Sequence, residues 1–190
     1  MMNNQVYPNY GFQTLYVTKE ICNCPLIPEI IKAIRKLKTI ELLKDISDIF
    51  VSMKYGKRML INVKNSNNFE INTEDFLEIV DYNPFKKLLL VMGPKEPRIE
   101  TPVHWIIHNA RDEVKAIIQI DDKQIARKME NIIPKTEVEY PNGTLEQAKE
   151  ILLKLRDSTK VVIKNHGVIF VGNSLKIVED LVENVCEELK

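Results

Sequence analysis

An α/β fold, with a mixed and largely antiparallel sheet covered by helices, is predicted by three observations. Segments with helical apolar spacing alternate along the chain with short apolar runs of strand length. Two runs, residues 49–55 and 58–64, flank Tyr55-Gly56-Lys57, where glycine permits the tight connection of a hairpin. Two more, 87–92 and 114–120, are almost wholly apolar, as strands buried on both faces are.

The elements follow in order. Pro8, Gly11 and Pro25 among scattered Tyr, Phe and Asn predict an extended arm or short strand over residues 1–25, able to pack on a neighbour. Pro28 suits a first helical turn. Ile30, Ile31, Ile34, Leu37, Ile40, Leu42 and Leu43 continue at roughly helical spacing to Ile46, as one long or two short helices. After the hairpin, Thr73 is placed to cap a short helix through Val80, and Gly93-Pro94 ends the strand at 87–92. Thr101-Pro102 opens a helix to about Asn109, with threonine at the cap and proline at the first helical position. A strand at 114–120 and a helix at 123–132 come next. Thr144 and Gln147 form a Thr-x-x-Gln capping box for a helix ending near Asp157. Strands at 161–164 and 168–171 flank Asn165-His166-Gly167. Ser174 caps a final helix with Leu175, Val178, Leu181, Val182 and Val185 inward.

At 190 residues the chain has the size of one domain, assigned to residues 26–190 behind the arm at 1–25. Lys and Arg total 27 and so do Asp and Glu, so no net field attracts nucleic acid or an anionic membrane. Neither is expected as a partner. Cys22, Cys24 and Cys186 are an odd number, and one Cys-x-Cys pair without a second argues for buried or idle thiols over zinc ligands. With no signal-peptide pattern and no apolar run long enough to span a bilayer, a reducing cytoplasm is the expected location.

The chemistry-bearing residues lie in Pro97-Arg98-Ile99-Glu100, His104, Arg111, the segment to Asp121, and Asn165-His166-Gly167. In this order and spacing, with Ala116, Tyr140, Gly143 and Thr144 between them, they resemble the class II aldolase and adducin head domain family over roughly residues 45–190. The resemblance implies a three-layer fold with a central sheet, and a site where three histidines hold a divalent ion beside a glutamate that moves the proton. It implies catalytic Glu100 and metal ligands His166, Gln119 and Asp121, the last two where the family carries His-x-His. Gln119 is a weak neutral ligand for zinc, and Asp121 is a hard oxygen ligand that with it would favour Mg or Mn. Period-two geometry puts Gln119 and Asp121 on one strand face. The cofactor reading is thus a divalent metal, Zn, Mn or Mg, or its loss.

The family's phosphate-binding turns are replaced by Ser47-Asp48, Val63-Lys64-Asn65 and Arg98-Ile99. Asp48 repels a phosphate, while Lys64 and Arg98 are the candidate substrate-binding cations. The functional expectation is a metal-dependent lyase or epimerase acting on a small sugar, sugar phosphate or hydroxy-carbonyl compound, working as a homo-oligomer, tetrameric by resemblance. The alternative is an inactive member retained for binding or assembly. Each residue also has a purely structural explanation. Glu100 complements a helix dipole, His104 and His108 pack a helix on the sheet, and His166 satisfies backbone at a turn.

Overall fold

The computed structural model describes residues 11–63 and 71–189. Strand β1 (Gln13–Thr18) leads into α1 (Ile27–Leu37). The hairpin of β2 (Ile49–Tyr55) and β3 (Arg58–Asn62) follows, then β4 (Phe76–Asn83) and β5 (Leu88–Met92). Helix α2 (Thr101–Ala110), strand β6 (Ala116–Ile120), α3 (Lys123–Met129), α4 (Leu145–Leu155), β7 (Lys160–Ile163), β8 (Gly167–Gly172) and α5 (Leu175–Glu188) complete the chain. The eight strands form one sheet in the order β1-β5-β4-β3-β2-β6-β8-β7. Each neighbouring pair is antiparallel except β1 with β5.

Helices cover both faces, giving three layers. Ala116, Ile118 and Ile120 of β6 pack in one core with Ile30, Leu37, Val178 and Val182 of α1 and α5. Ile117 points to the opposite core, with Val103 and Ile107 of α2 and Ile151 and Leu155 of α4. All five residues of β6 are buried, which matches its place between β2 and β8. Period two then sends Gln119 and Asp121 to the α2–α4 face with Ile117. Phe50, Phe76 and Phe170 are fully buried, and each such side chain contributes about 1.5–3 kcal/mol relative to exposure.

Local chemistry explains the boundaries. The Ser174 hydroxyl accepts from Ile177 N at 3.3 Å and starts α5, and Asp122 accepts from Gln124 N and Ile125 N at 2.8 Å to start α3. Thr144 accepts from Gln147 N at 3.2 Å, but Gln147 returns its bond to Gly143 N rather than to the cap residue. Helix α1 stops at Leu37, and residues 38–46 run on as turns.

Two expectations are corrected. Residues 73–80 are not a helix: Thr73–Asp75 is a single 3₁₀ turn and β4 begins at Phe76. Asn72 and Asp75 bond reciprocally, Asn72 accepting from Glu74 N and Asp75 from Asn72 N, which closes that turn after three residues. Partners on both sides, β3 and β5, then hold the following residues extended. At α2 the cap position belongs to Glu100, without a side-chain cap bond, and the Thr101 hydroxyl accepts instead from Arg98 N at 3.1 Å. The arm, over its described residues, contains β1, which lies on β5 of its own chain.

Candidate functional site

The site residues meet where the C-terminal end of β6, the N-terminus of α2, the β7–β8 turn and residues 140–144 come together. Asp121 N donates to Asp48 O at 2.8 Å, which carries the segment before β2 beside the end of β6. The β7–β8 connection is Lys164-Asn165-His166, with Asn165 at φ +59°. Asparagine tolerates that left-handed conformation better than most residues. Gly167 follows, and a Cβ there would lie 2.1 Å from Ile120 O and 2.8 Å from Asp121 Cα. The turn can close on the end of β6 only because residue 167 has no side chain. Gly143 does the same for the next loop: its φ is +78° and an added Cβ would lie 2.1 Å from Ile99 O. That approach places Asn142 against Glu100.

Glu100 is 3 % exposed. Its Oε2 accepts from Arg98 Nε at 3.2 Å and its Oε1 from Asn142 Nδ2 at 3.3 Å. The same guanidinium donates through Nη1 to Asp48 Oδ1 at 3.3 Å and stacks 3.7 Å over the Phe50 ring. Asp121 also meets Glu100. Burial pushes its carboxyl up to about 7, and the charges of Glu100 and Asp48 and a hydrogen bond with Glu100 push the same way, while Arg98 opposes them. Near neutral pH, Asp121 is therefore poised both to hold and to release a proton.

Gln119 is 2 % exposed and turned towards α2. The amide branch placed as Oε1 lies 3.1 Å from His104 Nε2, and His104 Nδ1 is 2.8 Å from Ser52 Oγ. Ser52 Oγ is in turn 2.9 Å from His108 Nε2, and His108 Nδ1 is 3.1 Å from Val114 O. Burial drives both imidazoles down, His104 to about 3 and His108 to about 4, so each is neutral. His166 is half-buried, with Nε2 3.1 Å from Tyr140 O. A carbonyl only accepts, so that nitrogen is the protonated one.

The structure brings Glu100, Asp121 and Arg98 together, and sets Gln119 and His166 against other partners. For a divalent metal these donors do not fit as arranged. The Gln119 amide faces an imidazole, His166 Nε2 faces a carbonyl, and Asp121 shares a hydrogen bond with Glu100. Among the described residues no three His, Cys, Asp or Glu side chains are grouped to hold a metal ion. Lys64 lies outside the described residues. Sequence reasoning missed Asn142, Phe50 and the hydroxyl of Ser52. The signals present were an Asn-Gly pair before a helix cap and one small polar residue inside an apolar strand.

Comparison by sequence finds no matching family model and no matching curated protein. Comparison by structure does find similar proteins. An L-fuculose 1-phosphate aldolase superposes with a TM-score of 0.67 at 22% identity, covering 88% of this chain and 85% of its own. The L-fuculose-1-phosphate aldolase of Thermus thermophilus gives 0.64 at 15% identity, with 85% and 91% covered. An aldolase II superfamily protein from Pseudomonas syringae gives 0.61 at 16% identity, with 86% and 74% covered. Identities this low establish architecture, and the three-layer arrangement, with one mostly antiparallel sheet between two helical layers, is the class II aldolase fold.

Proposed function

We propose that this protein acts on a small hydroxy-carbonyl compound by moving a proton through the carboxyl pair Glu100 and Asp121. One observation carries the reading: two carboxyl groups meet at a buried junction of elements, and one of them is raised to about 7. A proton-transfer group works best with a pKa near the working pH. Glu100 as carboxylate takes the proton from the carbon beside the carbonyl. The electron pair of that C–H bond becomes the C=C bond of an enediol, the carbonyl π pair moves to the oxygen, and neutral Asp121 supplies the proton that oxygen takes. The reverse steps return a proton from Glu100 to the carbon and the oxygen's proton to Asp121. Arg98 and Asn142 hold Glu100 in position. Lys64 stays in the proposal as a substrate-binding cation on sequence grounds alone, and no step is routed through a metal.

The test is solvent-deuterium incorporation, followed by NMR, across a panel of small hydroxy-carbonyl compounds with chelator and with added divalent ions. Exchange beside the carbonyl is expected to persist in chelator and to fall about 10²-fold or more in Glu100→Gln. Exchange no faster than the buffer blank, for every compound and every ion, would sink the proposal. A second reading, a binding or assembly subunit without turnover, is favoured by the internal pairing of Arg98, Asn142 and His166. Homotetrameric assembly belongs to both readings, and sedimentation velocity of the purified chain tests it.

A further inference from the structure

The buried chain from Gln119 to Val114 has one consistent placement of its hydrogens, found by counting. Val114 O only accepts, so His108 Nδ1 must carry a hydrogen. A neutral imidazole has one N–H, which leaves His108 Nε2 as an acceptor facing Ser52 Oγ. Ser52 has one hydrogen, and it must go there. Ser52 Oγ can then only accept from His104, so His104 Nδ1 carries that ring's hydrogen and His104 Nε2 is bare. The group 3.1 Å from His104 Nε2 must therefore be a donor, and Gln119 offers a donor only through its NH₂. With the amide oxygen on that branch, Ser52 would meet two lone pairs at 2.8 and 2.9 Å with a single hydrogen. The two amide branches are alike in shape, so the hydrogen count decides between them.

We infer that Gln119 directs its NH₂ to His104 and its carbonyl oxygen away from the helix, which makes residue 119 a hydrogen-bond acceptor for a bound neutral hydroxyl compound. His104 and Ser52 are positioning residues for that oxygen. Among the described residues no partner meets the second amide branch, and it is not among the buried polar atoms left unpaired. Asp48 and Glu100 are acceptors too, each already paired with Arg98, and neutral Asp121 offers a single O–H. An amide oxygen beside carboxyl groups recognises ligand O–H groups and disfavours phosphate oxygens. The ligand class, a neutral polyhydroxy or hydroxy-carbonyl compound, rests on the functional reading above. The amide orientation does not.

Long-range ¹H–¹⁵N correlation on the ¹⁵N-labelled full chain reads the tautomers directly. His104 and His108 are both expected as Nδ1–H forms with unprotonated Nε2. A His104 in the Nε2–H form overturns the orientation. In Gln119→Glu the carboxylate cannot donate, so His104 is expected to change tautomer or gain a proton while His108 keeps Nδ1–H. An unchanged His104 spectrum in that variant also overturns it. For the ligand class, dihydroxyacetone and glycolaldehyde are expected to shift the Gln119 side-chain resonances saturably, and inorganic phosphate is not. A saturable shift with phosphate or with magnesium ion alone overturns the hydroxyl assignment. No shift with any of them removes the class together with the functional reading, and the tautomers still decide the amide.

Discussion

His104, His108 and Asp121 pull stability in opposite directions as pH changes. The two imidazoles titrate near 3 and 4 when folded, against 6.5 for an ordinary histidine, so the unfolded chain binds more protons between about 4 and 6.5. Their contribution is complete above 6.5 and is lost on acidification. Asp121, at about 7 against 3.8 for an ordinary aspartate, does the reverse: its contribution is complete below 3.8 and is lost as pH rises through 7. Two groups outweigh one, so on these three stability rises with pH between about 4 and 6.5 by the linkage of one net proton. Above 6.5 Asp121 acts alone and stability declines. Asp121→Asn should therefore gain on the unaltered chain steadily between pH 4 and 7, with Tm scans at half-unit intervals as the check. A constant difference across that range would show that Asp121 is not raised. Ser52→Ala leaves two buried imidazole nitrogens without their shared partner and is expected to cost about 1–3 kcal/mol in denaturant unfolding. Neither effect was legible from composition or spacing. Ser52 is 52 and 56 residues from His104 and His108, and only the packing of α2 on β2 gives the serine its role.

At the scale of elements, the β7–β8 turn is fixed by glycine rather than by attraction. Gly167→Ala would place a methyl 2.1 Å from Ile120 O, so β6 and β8 must separate where Asp121 leaves the sheet. A loss of about 3 kcal/mol is expected from such overpacking, with a fall of the Asp121 carboxyl towards ordinary values as water enters. Equilibrium unfolding measures the first and carboxyl ¹³C titration the second. Element reading from sequence succeeded where the signal was local. Ser174 and Thr144 cap the helices that follow them, as their sequence context predicts. It failed at residues 73–80, where Phe76, Leu77 and Ile79 suit a helix face as well as a strand. The deciding bonds there came from β3 and β5. Glu100 and Asp121 were both legible as candidate groups, but their meeting was not. It depends on the Gly143 and Gly167 approaches and on Asp121 N reaching Asp48 O.

For the molecule as a whole, the sheet sits between two helical layers, and its centre and edges differ in protection. β6 is buried throughout and bonded on both sides by antiparallel neighbours, whereas β1 alternates exposed and half-buried residues at the rim. Native-state hydrogen exchange should find the slowest amides in β6, β2 and β8, and β1 should open well below the global unfolding free energy. Equal protection across β1 and β6 would contradict that layering. No helix among the described residues is long and apolar enough to cross a membrane. The parallel pairing of β1 with β5 also sets a delay during synthesis. Gln13 lies opposite Leu88, 75 residues later, with the other seven strands and their hairpins free to form from later sequence. At roughly 5–20 residues per second, β1 waits about 4–15 s after emerging before its partner exists. During that interval Leu15 and Val17, still half exposed in the finished fold, belong to an unpaired strand. Among the described strands, β1 thus waits longest for its first partner, and it is where chaperone contact would be most useful.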